Sequence, residues 1–152
     1  IGLELYTRMI RKASEFIKSG EVDFQSLNEQ PEINLNYNCF IPENYLPDIN
    51  VRLLMYNKVA LAESNEDLKN IQIEMINRFG LIPQELKNFF LQAELKILSE
   101  NNSIEKINFN KNKISIKFKN GDLDTSFFND GKLEEKVQMT TDVIRAISSN
   151  VS

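Results

Sequence analysis

The chain has 152 residues, 41% of them hydrophobic and ten of them Phe, which suits about one domain with a real core and excludes a disordered segment. Its 22 acids and 18 bases leave a net charge of −4, and the bases are interspersed with acids, which argues against a surface that grips duplex DNA unaided. One Cys and no His exclude an intrachain disulfide, a Cys–His nucleophile and the commonest zinc ligand.

Residues 3–18 carry Leu3, Tyr6, Met9, Ile10, Ala13, Phe16 and Ile17 at helical spacing, with Lys18 in the last turn and Gly20 as a stop. Residues 21–31 are polar and end in Pro31, a linker composition. The first residue is not Met and already lies inside a helical pattern, so the chain reads as a piece of a larger protein. Ile33, Leu35 and Tyr37 alternate with Asn, which predicts a strand running to about Ile41. Cys39 sits among Asn38, Phe40 and Ile41 and reads as a buried apolar thiol. Pro42 and Pro47 then forbid a regular element.

Asp48 or Asn50 can cap the next helix, whose inner face is Leu53, Tyr56, Val59 and Ala60. Ser64 and Asp67 resemble a capping box that restarts helix formation, with Leu68, Ile71, Met75, Ile76 and Phe79 directed inward. Gly80 supplies the stop, and Pro83 suits the first turn of a helix bearing Leu86, Phe89, Phe90, Ala93, Ile97 and Leu98. Beyond Asn101-Asn102 the period becomes two. Ile107 and Phe109 mark one strand, and Ile114, Ile116 and Phe118 another. Asn120-Gly121 predicts a two-residue hairpin into Leu123 and Thr125, giving a small antiparallel meander. Asp130-Gly131 is a further turn, residues 133–139 are compatible with strand or irregular structure, and a terminal helix starts near Thr141. The fold class expected is α+β: helices on a small antiparallel sheet, one compact domain over 31–152 preceded by a connecting helix and linker over 1–30.

No chemistry-bearing constellation accompanies this scaffold. The five glycines form no phosphate loop. The acid pairs Glu66-Asp67 and Glu134-Glu135 stand in polar surroundings and read as solvated. Lys111 and Lys113 beside Phe109 and Phe118 could suggest a single-strand-binding sheet, but alternation directs Phe118 to the core with Ile114 and Ile116. Neither catalytic residues, cofactor-binding residues nor metal ligands are expected. No apolar run approaches the roughly 20 residues of a membrane span, and no signal peptide is evident, so the expected location is the cytoplasm. One surface stands out. Asp67, Asn70, Glu74 and Asn77 cluster on the helix opposite the Leu68–Phe79 stripe, either as a plain solvated face or as a docking face for a basic partner.

Ile41-Pro-Glu-Asn-Tyr-Leu-Pro-Asp48 and Ile76-Asn-Arg-Phe-Gly-Leu-Ile-Pro83 resemble the C-terminal domain of the bacterial transcription-repair coupling factors (the Mfd family). Arg52-Leu-Leu-Met-Tyr56, Ala93-Glu-Leu-Lys96 and the opening Gly2-Leu-Glu-Leu-Tyr6 are similar to the same family, over about residues 1–100. The resemblance implies a regulatory module of an ATP-driven DNA translocase that removes stalled RNA polymerase and recruits UvrA. The ATP-binding motifs would lie upstream, leaving this piece without a cofactor. At rest the module would dock on a UvrB-like N-terminal module of the same protein and cover the UvrA-binding surface. The family's Glu-Leu-Ile-Asp stands here as Glu74-Met-Ile-Asn77, so Glu74 carries over while Asn77 replaces an acid and would weaken a charge-assisted contact. Interdomain docking is therefore expected at Glu74 and Asn77, flanked by Asp67 and Asn70, with Arg52, Arg78 and Tyr56 structural and the piece itself monomeric. The alternative is an accessory module contacting DNA or RNA polymerase through Arg8, Arg11 and Lys12.

Overall fold

The computed structural model describes residues 30–151. The expected helix and linker over 1–29, with Arg8, Arg11 and Lys12, lie outside the described residues. In chain order the elements are β1 (Glu32–Asn34), α1 (Ile49–Leu61), α2 (Asn65–Phe79), α3 (Gln84–Asn101), β2 (Ile104–Asn110), β3 (Lys113–Phe118), a 3-10 turn (Gly121–Leu123), β4 (Thr125–Phe128) and α4 (Leu133–Val151). They fall into two compact units: 38–90 in one, and 31–37 with 91 onward in the other, the boundary passing through α3. The α+β class is the one expected.

The first unit is organised around the proline-bracketed loop. Tyr45 and Leu46 both donate to the Pro42 carbonyl (3.1 Å each), which closes a turn and turns Leu46 into the interior. The Tyr56 hydroxyl of α1 accepts the buried Ile41 N–H at 2.8 Å. Arg52 donates to the carbonyls of Leu46 (2.8 Å) and Pro47 (3.2 Å). Asp48 caps α1, its carboxylate accepting from the backbones of Asn50 (2.8 Å) and Val51 (3.4 Å). Arg52 and Tyr56 are thus structural, as expected. Met55, Tyr56 and Val59 form the buried face of α1, whereas Leu53 and Ala60 are only half-buried.

Ser64 caps α2 by accepting from Asp67 N–H (3.1 Å). The Asp67 carboxylate reaches back to Glu63 N–H (3.0 Å), one residue before the cap, so a displaced capping box forms. At the other end Gly80 has φ +99° and ψ −170°. This is a region open essentially to glycine alone, not the left-handed helical well expected from the sequence. The Tyr45 hydroxyl donates to the Gly80 carbonyl at 2.8 Å and lies 3.2 Å from that of Met75, which ties the loop to this helix end.

In the second unit the sheet order is β1-β2-β3-β4. The sheet is mixed and not wholly antiparallel as expected, because β1 pairs parallel to β2 through Ile33 and Ile107. β1 is also shorter than the alternation suggested. Asn36 takes φ +58° and its side-chain amide bonds the Phe109 carbonyl, which ends pairing early and leaves Tyr37 43% exposed. The tight hairpin lies between β2 and β3, where Asn110 pairs Lys113 and Lys111 adopts φ +56°. Asn120-Gly121 does not form the two-residue hairpin. Asn120 instead caps the 3-10 turn by accepting Asp122 N–H (3.2 Å), and Leu123 belongs to that turn. Helix α4 starts at Leu133, earlier than expected. Residues 133–139, compatible in sequence with strand or irregular structure, are its first turns, and Thr140 and Thr141 satisfy their hydroxyls on the carbonyls of Lys136 (2.7 Å) and Val137 (3.0 Å). Ile33, Ile107, Phe109, Ile114, Ile116 and Phe118 of the sheet are buried, with Leu95, Val137 and Ile144 from the helices. Each such side chain contributes about 1.5–3 kcal/mol by leaving water.

Candidate interdomain docking face

The outward side of α2 is built by its register. Leu68, Ile71 and Met75 are buried and set the inward direction. At about 100° per residue, Asn70 and Asn77 then point away from the interior, and both are exposed. Asp67 is exposed as well, with its carboxylate occupied in the cap. Glu74 lies on the flank facing α1, half-buried. The four sequence-predicted positions therefore share one side of one helix, but their carboxylates are not equivalent.

Glu74 is the centre of an ion cluster. Its two oxygens accept from Lys58 of α1 at 2.8 and 2.9 Å, and one of them accepts from Arg78 at 2.8 Å. The hydrogen bond from Lys58, then that from Arg78, holds the Glu74 carboxyl below its ordinary range. The Arg78 guanidinium also lies over the Phe79 ring, 4.8 Å from its centroid. Arg78 is structural, as expected. Glu74 already satisfies two cations of its own chain, so an incoming base would share this carboxylate with both.

Sequence reasoning missed two apolar members of the face. Ile76, expected inward, is 41% exposed, because it sits a quarter-turn or so from Met75. Ile73 is 48% exposed between Asn70 and Asn77. Helical arithmetic alone places Ile73 opposite the buried stripe, so that signal was available in the sequence. The Lys58–Glu74 bridge was not, since it depends on how α1 and α2 meet. Leu81, just past the helix, is 87% exposed.

At Cys39, the two acid pairs and Phe118 the structure agrees with the sequence reading. Cys39 is buried, and burial pushes its thiol up to about 11. Glu66, Asp67, Glu134 and Glu135 are exposed, and Phe118 faces the core. Among the described residues no cluster of His, Cys, Asp and Glu could hold a metal ion, and no helix is long and apolar enough to cross a membrane.

A family profile described as the TRCF domain matches residues 35–126, more than half of the chain. This chain belongs to the transcription-repair coupling factor family. Over 120 residues it is 38% identical to the transcription-repair-coupling factor of Borreliella burgdorferi, covering 79% of this chain and 10% of that protein. Identity to the Escherichia coli factor is 31% over 120 residues, covering 78% of this chain and 10% of the relative. For the Haemophilus influenzae factor it is 37% over 102 residues, with 66% and 9% covered. The chain thus spans about a tenth of the length of these coupling factors. A crystal structure of the C-terminal domain of transcription-repair coupling factor superposes with a TM-score of 0.69 at 17% identity, covering 81% of this chain and 96% of that one, a likeness of fold.

Proposed function

We propose that this coupling-factor domain is a regulatory, non-catalytic module whose α2 face closes reversibly on the UvrB-like N-terminal module of the full-length protein. Closure masks the UvrA-binding surface until RNA polymerase and DNA engage the ATP-driven motor. The observation that carries this reading is the composition of the face: exposed Ile73 and Ile76 bordered by exposed Asn70 and Asn77. Exposed Glu66 and Lys69 fall on the same outward register, and a small apolar centre within such a polar, mixed-charge surround suits a contact that must form and also tolerate water after release. Interfaces between separable domains bury roughly 600–1,500 Å², a scale to which a single helix face can contribute a part.

In this reading Asn77 and Asn70 supply neutral hydrogen bonds, and Glu74 acts chiefly by fixing α1 against α2 while sharing its carboxylate with any partner base. Asp67 holds the start of the helix. Release requires that polymerase and DNA favour the open form by more than the face favours the closed one. The test uses the full-length protein and measures UvrA capture without polymerase. Ile73→Asp and Asn77→Arg are expected to raise capture about tenfold, the effect of losing a modest interface anchor. Unchanged capture by both variants, each shown to be folded, removes the α2 face from any masking role.

A further inference from the structure

The two edges of the sheet are built differently. β1 is three residues long, follows Pro31 and carries Glu32, features that discourage pairing on its outer side. β4 is Thr125-Ser-Phe-Phe128, with neither charge nor proline. Among the described residues only β3 pairs with it. Asn129 donates to the Asn112 carbonyl at 2.9 Å. Antiparallel alternation from that bond, through the pairs Ile114–Phe127 and Ile116–Thr125, commits Thr125 and Phe127 to β3. Ser126 and Phe128 therefore direct their N–H and C=O groups to the open side. Both residues are exposed, Phe128 to 75%.

We infer that the outer edge of β4 accepts an extended segment of a partner protein as a fifth strand, one with an apolar side chain beside Phe128 and basic residues at both ends. Backbone pairing to Ser126 and Phe128 supplies the binding, and the exposed ring supplies the side-chain contact on the same face. The charge preference follows from the flanks. Asp122 and Asp124 precede the strand and Asp130 follows it, all three exposed, whereas the nearest bases in sequence, Lys119 and Lys132, stand beyond them. Across the sheet the nearest base is Lys113, paired with Phe128 but on β3, one strand further from the open edge. The Asp124 carboxylate is drawn towards β3, accepting Phe118 N–H at 2.8 Å, so Asp122 and Asp130 are the flanking acids without that tie. At about 3.4 Å per residue, the acids bracket a pairing core of roughly four residues. A second copy of this chain would bring the same acids together and is disfavoured by repulsion. This site lies outside α2 and does not depend on the masking role.

The probe is an end-blocked octapeptide, Val-Thr-Val-Thr with two lysines on each side, titrated into the full chain and followed by amide hydrogen exchange. Exchange at Ser126 and Phe128 is expected to slow about tenfold or more at saturation, with Thr125 and Phe127, already bonded to β3, unmoved. Phe128→Lys keeps the backbone while removing the ring and adding repulsion, so it is expected to weaken binding about tenfold. Ser126→Pro deletes an outward N–H and is expected to abolish it. Unslowed exchange at Ser126 and Phe128 with excess lysine peptide overturns the proposal. Equal binding by the peptide with glutamate for lysine overturns the assignment of a basic partner. Protection that grows with the concentration of the chain alone assigns the edge to a second copy and likewise overturns it.

Discussion

Tyr56 joins three parts of the first unit. Its ring packs on Phe89 with centroids 5.3 Å apart, and its hydroxyl is the acceptor for the Ile41 amide. Burial raises its pKa, so the hydroxyl stays neutral. Tyr56→Phe keeps the ring but leaves a buried N–H without that acceptor, and is expected to destabilise the chain by about 1–3 kcal/mol. Denaturant unfolding checks it: a midpoint within error of the parent would show that the amide finds another partner. Seen this way, Ile41-Pro-Glu-Asn-Tyr-Leu-Pro-Asp48 is scaffold. Ile41 and Leu46 are buried, Tyr45 holds the end of α2, Asp48 caps α1, and Pro42 provides the turn carbonyl. The first of the two stretches that carry the family resemblance thus fixes the fold, while the second, Ile76–Pro83, contributes Ile76 and Asn77 to the face proposed to act.

At the scale of elements, the α1–α2 pair is joined by Lys58, Glu74 and Arg78. The pair is about a third exposed or more, so Glu74→Gln is expected to cost only about 0.5–1 kcal/mol near neutral pH. The Glu74 pKa in the folded chain is below its ordinary value of 4.5. Its contribution is therefore complete well above that value and is lost as pH falls through the depressed one. Stability measured against pH should show the parent and Glu74→Gln converging in acid. A constant gap down to pH well below 4.5 would mean the bridge is not the source of the difference. Helices α1, α2 and α3 were legible because their caps and apolar stripes agree. The strands of the hairpin were legible through alternation, but their turns were not. Lys111 adopts the positive φ expected of an Asn-Gly pair, and Asn120-Gly121 enters a 3-10 turn because Asp122 and Asp124 offer competing local bonds. The parallel pairing of β1 could not be read at all, since it joins residues over 70 apart in sequence through shape alone. For the docking face, position was readable and partnering was not: periodicity collects Asp67, Asn70, Glu74 and Asn77, but only the folded chain shows Glu74 engaged and Ile76 exposed.

For the whole molecule, charge decides between partners. A net charge of −4 repels a phosphate backbone, and two lysines of the sheet are opposed by acids, Lys106 by Glu32 (3.7 Å) and Lys117 by Glu105 (3.8 Å). The isolated chain is expected not to retard duplex DNA in a gel at about 0.15 M salt. A shift that weakens steeply as salt rises would instead favour the accessory DNA-contacting reading, with Arg8, Arg11 and Lys12 as the first residues to substitute. The regulatory proposal and the fifth-strand proposal use different units, α2 in one and β4 in the other, so each can be removed without touching its rival.

The sequestered thiol of Cys39 has a practical corollary. It is the only sulfhydryl in the sequence, and the fold shuts it in while burial keeps it protonated. A maleimide fluorophore offered to an Asn77→Cys variant would find one nucleophile and ignore the other. A spectroscopic reporter can thus be mounted on the outward ridge of α2 of this chain, and its encounters with an added partner followed by light, with no native residue of the chain deleted beforehand.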